Sequence, residues 1–284
     1  MEVISKMRAS FFERMEREID IQKEYEKIDR LVLNECDSKD RTLEEKISDS
    51  FRSWRHRKNF ISFDELREHF GFKYCCEGGY YDPYVPNGFV ETIDDFLCYC
   101  EIIYNMLSLI TDNFLCVSIN ESEGVVLETI IYDVEKLNYE FKKDEDKYIL
   151  VQKNVAASAV VELVDYDLAK EIIRYNHFVL KGDIKSKRDI LKNMAHAIEP
   201  LRSDLNRNNL STIGNDFFYL VNNMDIRHNN CDVNDKKNYF EKFANLSDGE
   251  KEKWYDEIYQ EGLMIFLSLE QLKRNKRIAE FKKV

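Results

Sequence analysis

The sequence predicts a mainly α-helical protein: a helical bundle with one small β-hairpin, built in two helical parts. Three observations carry this. The 284 residues include only 9 Gly and 3 Pro, whereas a sandwich or barrel spends both freely on turns. Apolar residues recur every three to four positions through most of the chain, as on one face of a helix. Strict alternation of apolar and polar residues is confined to one segment. Hydrophobic residues make up 44% and aromatic residues 13%, enough to form a packed core.

Each element follows from local pattern. Residues 1–70 contain no Gly and no Pro. Val3, Met7, Phe11, Met15 and Ile19 form one stripe, which continues through Tyr25, Ile28, Leu31 and Val32. Cys36–Asp40 is a connection, and a second helix is expected over Leu43–Lys58. Ser62-Phe63-Asp64-Glu65 reads as a helix start, with Ser62 capping and Glu65 reaching back; Gly71 ends that helix. Residues 71–88 hold four of the nine Gly and two of the three Pro, so a long loop or linker is expected there. Thr92-Ile93-Asp94-Asp95 opens an apolar helix to about Ile110, followed by another over about Gly124–Leu137. Tyr139 and Phe141 alternate on one arm and Tyr148, Leu150 and Val151 on another, with a charged turn at Lys142–Lys147, giving the hairpin.

The second half is again helical. A short apolar helix is expected over Val155–Val164, then one from Asp167 to about Leu180, stopped by Gly182. A long helix over Ile184–Leu205 should be kinked by Pro200. A short helix at Gly214–Met224 precedes a polar run. Ser247-Asp248-Gly249-Glu250 opens the last long helix, in which Trp254, Ile258, Met264, Ile265 and Leu267 are expected inside. The resulting division is an N-terminal helical region (1–72), a Tyr/Gly/Pro loop (73–90) and a bundle (91–284) with its hairpin near 138–153.

Composition removes several function classes. The net charge of −12 argues against a general nucleic-acid coat, because Lys and Arg dominate phosphate binding; it leaves room for a local RNA site. The basic cluster Lys273, Arg274, Lys276, Arg277, Lys282 and Lys283 reads as cations complementing a helix C-terminus. No apolar run approaches the roughly 18 residues that span a bilayer, so no membrane contact is expected. Seven Cys, with no signal-like opening segment, fit reduced thiols in a cytoplasmic protein. Cys75-Cys76 and Cys98-x-Cys100 lack the spacing of a zinc site, and the five His form no two-His metal motif. No metal and no cofactor are expected. Gly78-Gly79 is the only glycine pair; neither a P-loop nor a nucleophile elbow is present.

The segment richest in chemistry is Asn222–Asn230, Asn-Asn-Met-Asp-Ile-Arg-His-Asn-Asn, directly after the apolar run Phe217–Val221. Metal-independent RNA cleavage needs a proton carrier for the 2′-hydroxyl and a cation on the phosphate. Histidine moves protons near neutral pH, and arginine holds phosphate bidentately. Arg227 and His228 are therefore the catalytic candidates, with Asn222, Asn223, Asn229 and Asn230 as substrate-binding candidates. Adjacent helical residues point about 100° apart, so the pair serves one substrate only if the helix has ended. The structural alternative has Arg227 paired with an acidic residue and His228 capping the helix. His177 and His196 are secondary candidates, because a bundle could bring them, or Glu199, to Arg227.

Residues 167–270 resemble the HEPN superfamily, which includes abortive-infection and toxin–antitoxin proteins of bacteria. The likeness rests on long helices, a helix ending in Arg227 followed by the polar His228, and one further long helix. It implies an all-α bundle, often a homodimer that joins two Arg motifs, and RNA cleavage without metal. The family pattern continues with a His after four to six intervening positions; Asp232, Val233 and Asn234 stand there instead, leaving His228 as proton carrier. The expected function is thus a phage-defence or toxin-type HEPN-like protein acting on RNA, as endoribonuclease or binder. The alternative is a non-enzymatic interaction or dimerisation module, with the Tyr-rich loop 74–88 meeting a protein partner.

Overall fold

The structure is a computed structural model that describes residues 19–34, 41–72, 88–113 and 121–283. The expected stripe from Val3 to Met15 and most of the Tyr-rich loop lie outside the described residues. The chain is mainly α-helical with one two-stranded antiparallel hairpin. It divides into two compact units, Met1–Gln152 and Lys153–Val284. The division therefore falls just after the hairpin rather than at 73–90. The reason is packing: helices from both sides of that loop share one core.

The first unit contains α1 (Ile21–Asn34), α2 (Leu43–Phe51), α3 (Phe63–His69), α4 (Ile93–Asn113) and α5 (Glu121–Lys136), with α4 and α5 packed on the hairpin strands β2 (Lys147–Gln152) and β1 (Tyr139–Asp144). Thr42 and Glu45 form a capping box at α2. That helix stops at Phe51, not Lys58, and turns follow to residue 60. Ser62 accepts from the Glu65 N–H as expected. Glu65 reaches back to the Ile61 N–H, one residue before the cap. Thr92 and Asp95 cap α4 reciprocally.

The core contains Tyr25, Ile28, Phe51, Phe63, Phe72, Phe96, Ile103 and Met106, all essentially without solvent exposure. Burying each such side chain contributes roughly 1.5–3 kcal/mol. A buried polar knot sits within it. The Arg67 guanidinium donates to both Asp29 oxygens (2.8 and 3.0 Å) and to Glu44 (2.6 Å), and the Tyr99 hydroxyl donates to Asp29 (2.7 Å). Tyr25 donates to the Phe72 carbonyl at 2.7 Å. These bonds join α1, α3 and α4 across the loop. A Cβ at Gly88 would overlap both the Phe72 carbonyl and the Tyr25 hydroxyl, so only glycine lets the chain return there.

The hairpin pairs Tyr139 with Gln152 through to Asp144 with Lys147. Its turn is the two residues Glu145-Asp146, tighter than the six-residue turn expected, with Glu145 at φ 59°. Asn105 of α4 exchanges two 2.7 Å hydrogen bonds with the Tyr148 backbone, and Glu101 accepts from the Leu150 N–H.

In the second unit, α6 (Val155–Val160), α7 (Tyr166–Tyr175), α8 (Ile184–Ile198), α9 (Arg202–Arg207), α10 (Ser211–Asn223) and α11 (Glu241–Ala244) pack with the long α12 (Asp248–Phe281). Phe178–Leu180 is a separate 3₁₀ turn, so the helix beginning near Asp167 ends at Tyr175. Pro200 lies in a 3₁₀ turn, Glu199–Leu201, that separates α8 from α9, which is the break its ring imposes. In α12 the buried stripe is Tyr255, Ile258, Tyr259, Gly262, Leu263 and Phe266, joined by Ile265. Trp254 and Met264, expected inside, are 40% and 49% exposed. The stripe repeats every three to four residues, and those two fall beside it.

Lys187 is buried between α8 and α12. Its ammonium bonds Glu252 (2.8 Å) and Asp256 (2.9 Å) and lies 5.0 Å from the Tyr175 ring centroid. Tyr175 stacks on Tyr259 at 4.0 Å, and burial drives both hydroxyls to higher pKa. Among the described residues, no helix is long and apolar enough to cross a membrane.

Candidate functional site

Phe217, Phe218 and Val221 are buried and fix α10 in the second core. The helix ends at Asn223, and Asp225 takes the left-handed conformation at φ 58°, which Asp tolerates better than most residues. Met224 and Ile226 are buried on either side of that turn. The Arg227 N–H donates to the Val221 carbonyl at 3.1 Å. Arg227 and His228 therefore lie beyond the helix, and the 100° separation of helical neighbours does not apply to them.

The Arg227 guanidinium forms an ion pair with Glu199. Its central carbon stands 5.7 Å from the Phe218 ring centroid. The guanidinium of Arg202 stands 4.6 Å from the same centroid. Two cations thus meet one buried ring, and one of them, Arg227, is also paired with a carboxylate. Cation–π contact of this kind holds a guanidinium flat and restrains its rotamers. The Arg227 side chain is only 20% exposed, whereas Arg202 and His228 are exposed.

The asparagines separate into different roles. Asn230 is 2% exposed. Its carbonyl oxygen accepts from the Asp225 N–H (2.9 Å), and its amide donates to the Asn238 carbonyl (2.6 Å). The Asn230 backbone carbonyl accepts from Phe240. Asn230 is thus spent on stitching the 225–240 loop and is withdrawn from the substrate-binding set. At the end of α10 the carbonyls of Leu220 and Val221 are met by the backbone N–H groups of Met224 and Arg227. Asn223 donates to the Tyr219 carbonyl at 2.8 Å. Asn229 is exposed and Asn222 half-buried. Arg188 anchors the turn from below by donating to Asp225 at 2.7 Å.

His196 is exposed on the last turn of α8, three residues before Glu199. His177 packs edge-on against Phe178 in the α7–α8 connection, a different connection from the one that carries Arg227. Sequence reasoning named Glu199 as a residue a bundle could bring to Arg227, and the structure does so. It missed Arg202. Nothing local marks that residue; only the position of Phe218 makes it a neighbour.

A groove of about 440 Å³ in the same unit is lined by Leu163, Leu168, Leu201, Phe266 and Glu270. Neither Arg227 nor His228 lines it. At the exposed end of α12, Glu270 pairs with Arg277, Arg274 and Lys273 at 3.2–3.7 Å, so part of the basic cluster is neutralised within its own helix. Among the described residues, no group of three or more His, Cys, Asp or Glu side chains is placed to hold a metal ion. Cys98, Cys100 and Cys231 are free thiols; burial pushes Cys98 up to about 12, which removes it as a nucleophile. No protein-family model, curated protein or solved structure matches this chain.

Proposed function

We propose that the second unit acts on RNA, as a cytoplasmic phage-defence or toxin-type protein of the HEPN-like kind. The observation that carries this reading is the pair of guanidiniums, Arg202 and Arg227, held on the Phe218 ring next to exposed His228. Their restrained planes suit bidentate contact with a phosphodiester. A phosphate arriving at Arg227 competes with Glu199 for the guanidinium. His228 takes the 2′-hydroxyl proton, the arginines stabilise charge on the phosphorus oxygens, and Asn222, Asn223 and Asn229 hydrogen-bond the strand. A second copy of the chain in a homodimer supplies the acid for the leaving oxygen.

One observation favours a second reading. Arg227 is already paired with Glu199 and mostly covered, as expected where it closes a helix end in a non-enzymatic interaction module. The two readings separate on expression of wild type and the Arg227→Ala/His228→Ala variant in a bacterial host, with growth and total RNA followed together. RNA fragmentation with arrest in wild type alone supports the ribonuclease. Intact RNA in both, with purified wild type failing to bind single-stranded RNA in a salt-dependent way, refutes action on RNA and leaves the interaction module.

A further inference from the structure

The first unit carries a cleft that the proposed RNA site does not use. It lies between the turns after α2, the outer face of α4 and the hairpin tip, and encloses about 340 Å³. Trp54, Arg55, His56, Lys143, Asp146 and Tyr148 line it. The walls are built. Trp54 packs on Phe51 at 5.9 Å, and Asn105 pins the Tyr148 backbone from α4. Tyr104 meets Tyr148 edge-on at 5.2 Å while stacking on Phe141 at 3.8 Å, so the Tyr148 ring is held from behind.

Across this cleft, a His56 ring nitrogen meets Asp146 at 2.8 Å. That bond draws the Asp146 carboxyl below its usual range, and it leaves the second imidazole nitrogen without a hydrogen-bond partner among the described residues. A tether between loop and hairpin accounts for the pair but not for what surrounds it. Lys143 forms no ion pair among the described residues and stands 6.0 Å from the Tyr148 centroid. Arg55 comes no closer than 4.0 Å to Asp146, with its side chain 85% exposed. Two cations are thus left largely unspent beside two aromatic faces and an imidazole that is oriented but only half used.

We propose that this cleft binds a nucleoside monophosphate, with Lys143 and Arg55 on the phosphate, Trp54 and Tyr148 beside the base, and His56 hydrogen-bonded to the sugar or phosphate. The volume lies at the low end of the roughly 300–1,000 Å³ of small-molecule sites, enough for one nucleotide. The carboxylates of Glu145 and Asp146 at the hairpin tip oppose a longer polyanion, which separates this site from an RNA track. The proposal is independent of the reading of Arg227 and His228.

The test uses the full chain. The protein has two Trp, so Trp254→Phe leaves Trp54 as the sole reporter. Its fluorescence is titrated with the monophosphates of adenosine, guanosine, cytidine and uridine, with inorganic phosphate, and with adenosine. At least one nucleotide should bind with Kd below about 1 mM, and phosphate and adenosine at least about tenfold more weakly. Lys143→Ala and His56→Ala should each weaken that nucleotide about tenfold. Should His56→Ala lower the melting temperature, His56→Gln keeps a donor to Asp146 and is used in its place. No saturable change with any of the four nucleotides overturns the proposal. So does affinity unaltered by Lys143→Ala, or phosphate binding as tightly as the nucleotides, which would reduce the cleft to a simple anion patch.

Discussion

Asp133 is fully buried on α5, and among the described residues neither of its carboxylate oxygens has a hydrogen-bond partner. Burial pushes its pKa up from 3.8 to about 6; the Glu24 carboxylate of α1 adds to this, while Lys27 of α1 and Lys136 of α5 oppose it. From α4, the thiol of Cys100 also faces it, itself raised by burial. An acid that binds its proton more tightly when folded contributes its full share of stability below its unfolded pKa. That share is lost as the pH rises through the folded value, here between about pH 4 and pH 6. At about 1.4 kcal/mol per pH unit the limit is about 3 kcal/mol, and relaxation around Lys27 and Lys136 brings the expected loss to about 1–3 kcal/mol. Asp133→Asn removes the titration while keeping the shape. The assay is urea unfolding followed by Trp54 fluorescence in a Trp254→Phe background, because two units need not unfold together. The stability gap between Asp133→Asn and its parent should move in favour of the variant by about 1–3 kcal/mol from pH 4 to pH 8. Parallel pH profiles for the two proteins would refute the reasoning, because the carboxyl would then titrate alike in folded and unfolded chains.

Two further perturbations probe the buried polar groups. Arg67→Met removes the guanidinium that pairs with Asp29 in the first core, while the Tyr99 hydroxyl still donates to that carboxylate; unfolding of the first unit should become easier by about 3–5 kcal/mol, and a loss under about 1 kcal/mol in urea melts would show that Asp29 simply takes up a proton. Asn230→Ala leaves the Asp225 N–H and the Asn238 carbonyl unpaired. It should cost about 2–4 kcal/mol and speed amide exchange across residues 225–240; wild-type exchange rates would show that the loop is held by other means.

The elements were legible because each is written locally. The three- to four-residue spacing of Tyr25, Ile28 and Val32 in α1, the caps at Ser62, Thr92 and Ser247, and the alternation around residue 145 are properties of neighbouring residues. Gly182, at φ 79°, ends its segment as a glycine should. Boundaries failed where local signals ran on past tertiary ones. Apolar and charged residues continue to Lys58, yet α2 ends once Phe51 has entered the core, and Trp54 turns to the cleft.

The sequence by itself determined the helical class, the hairpin, the caps and the end of α10 that releases Arg227 and His228 from helical geometry. Only the tertiary structure decided what those residues meet. Glu199 pairs directly with Arg227, and Arg202 shares the Phe218 ring with it, from about 25 to 28 residues earlier in the chain, a distance over which no periodicity carries information. Asn230, alike in sequence to Asn229, is buried because the loop folds back to Asn238 and Phe240. His56 and Asp146 are joined only because α4 holds the hairpin against the turns after α2. Side-chain spacing fixes which face a residue takes on its own element, whereas a site depends on which faces come together, and that is set by the packing of the whole core.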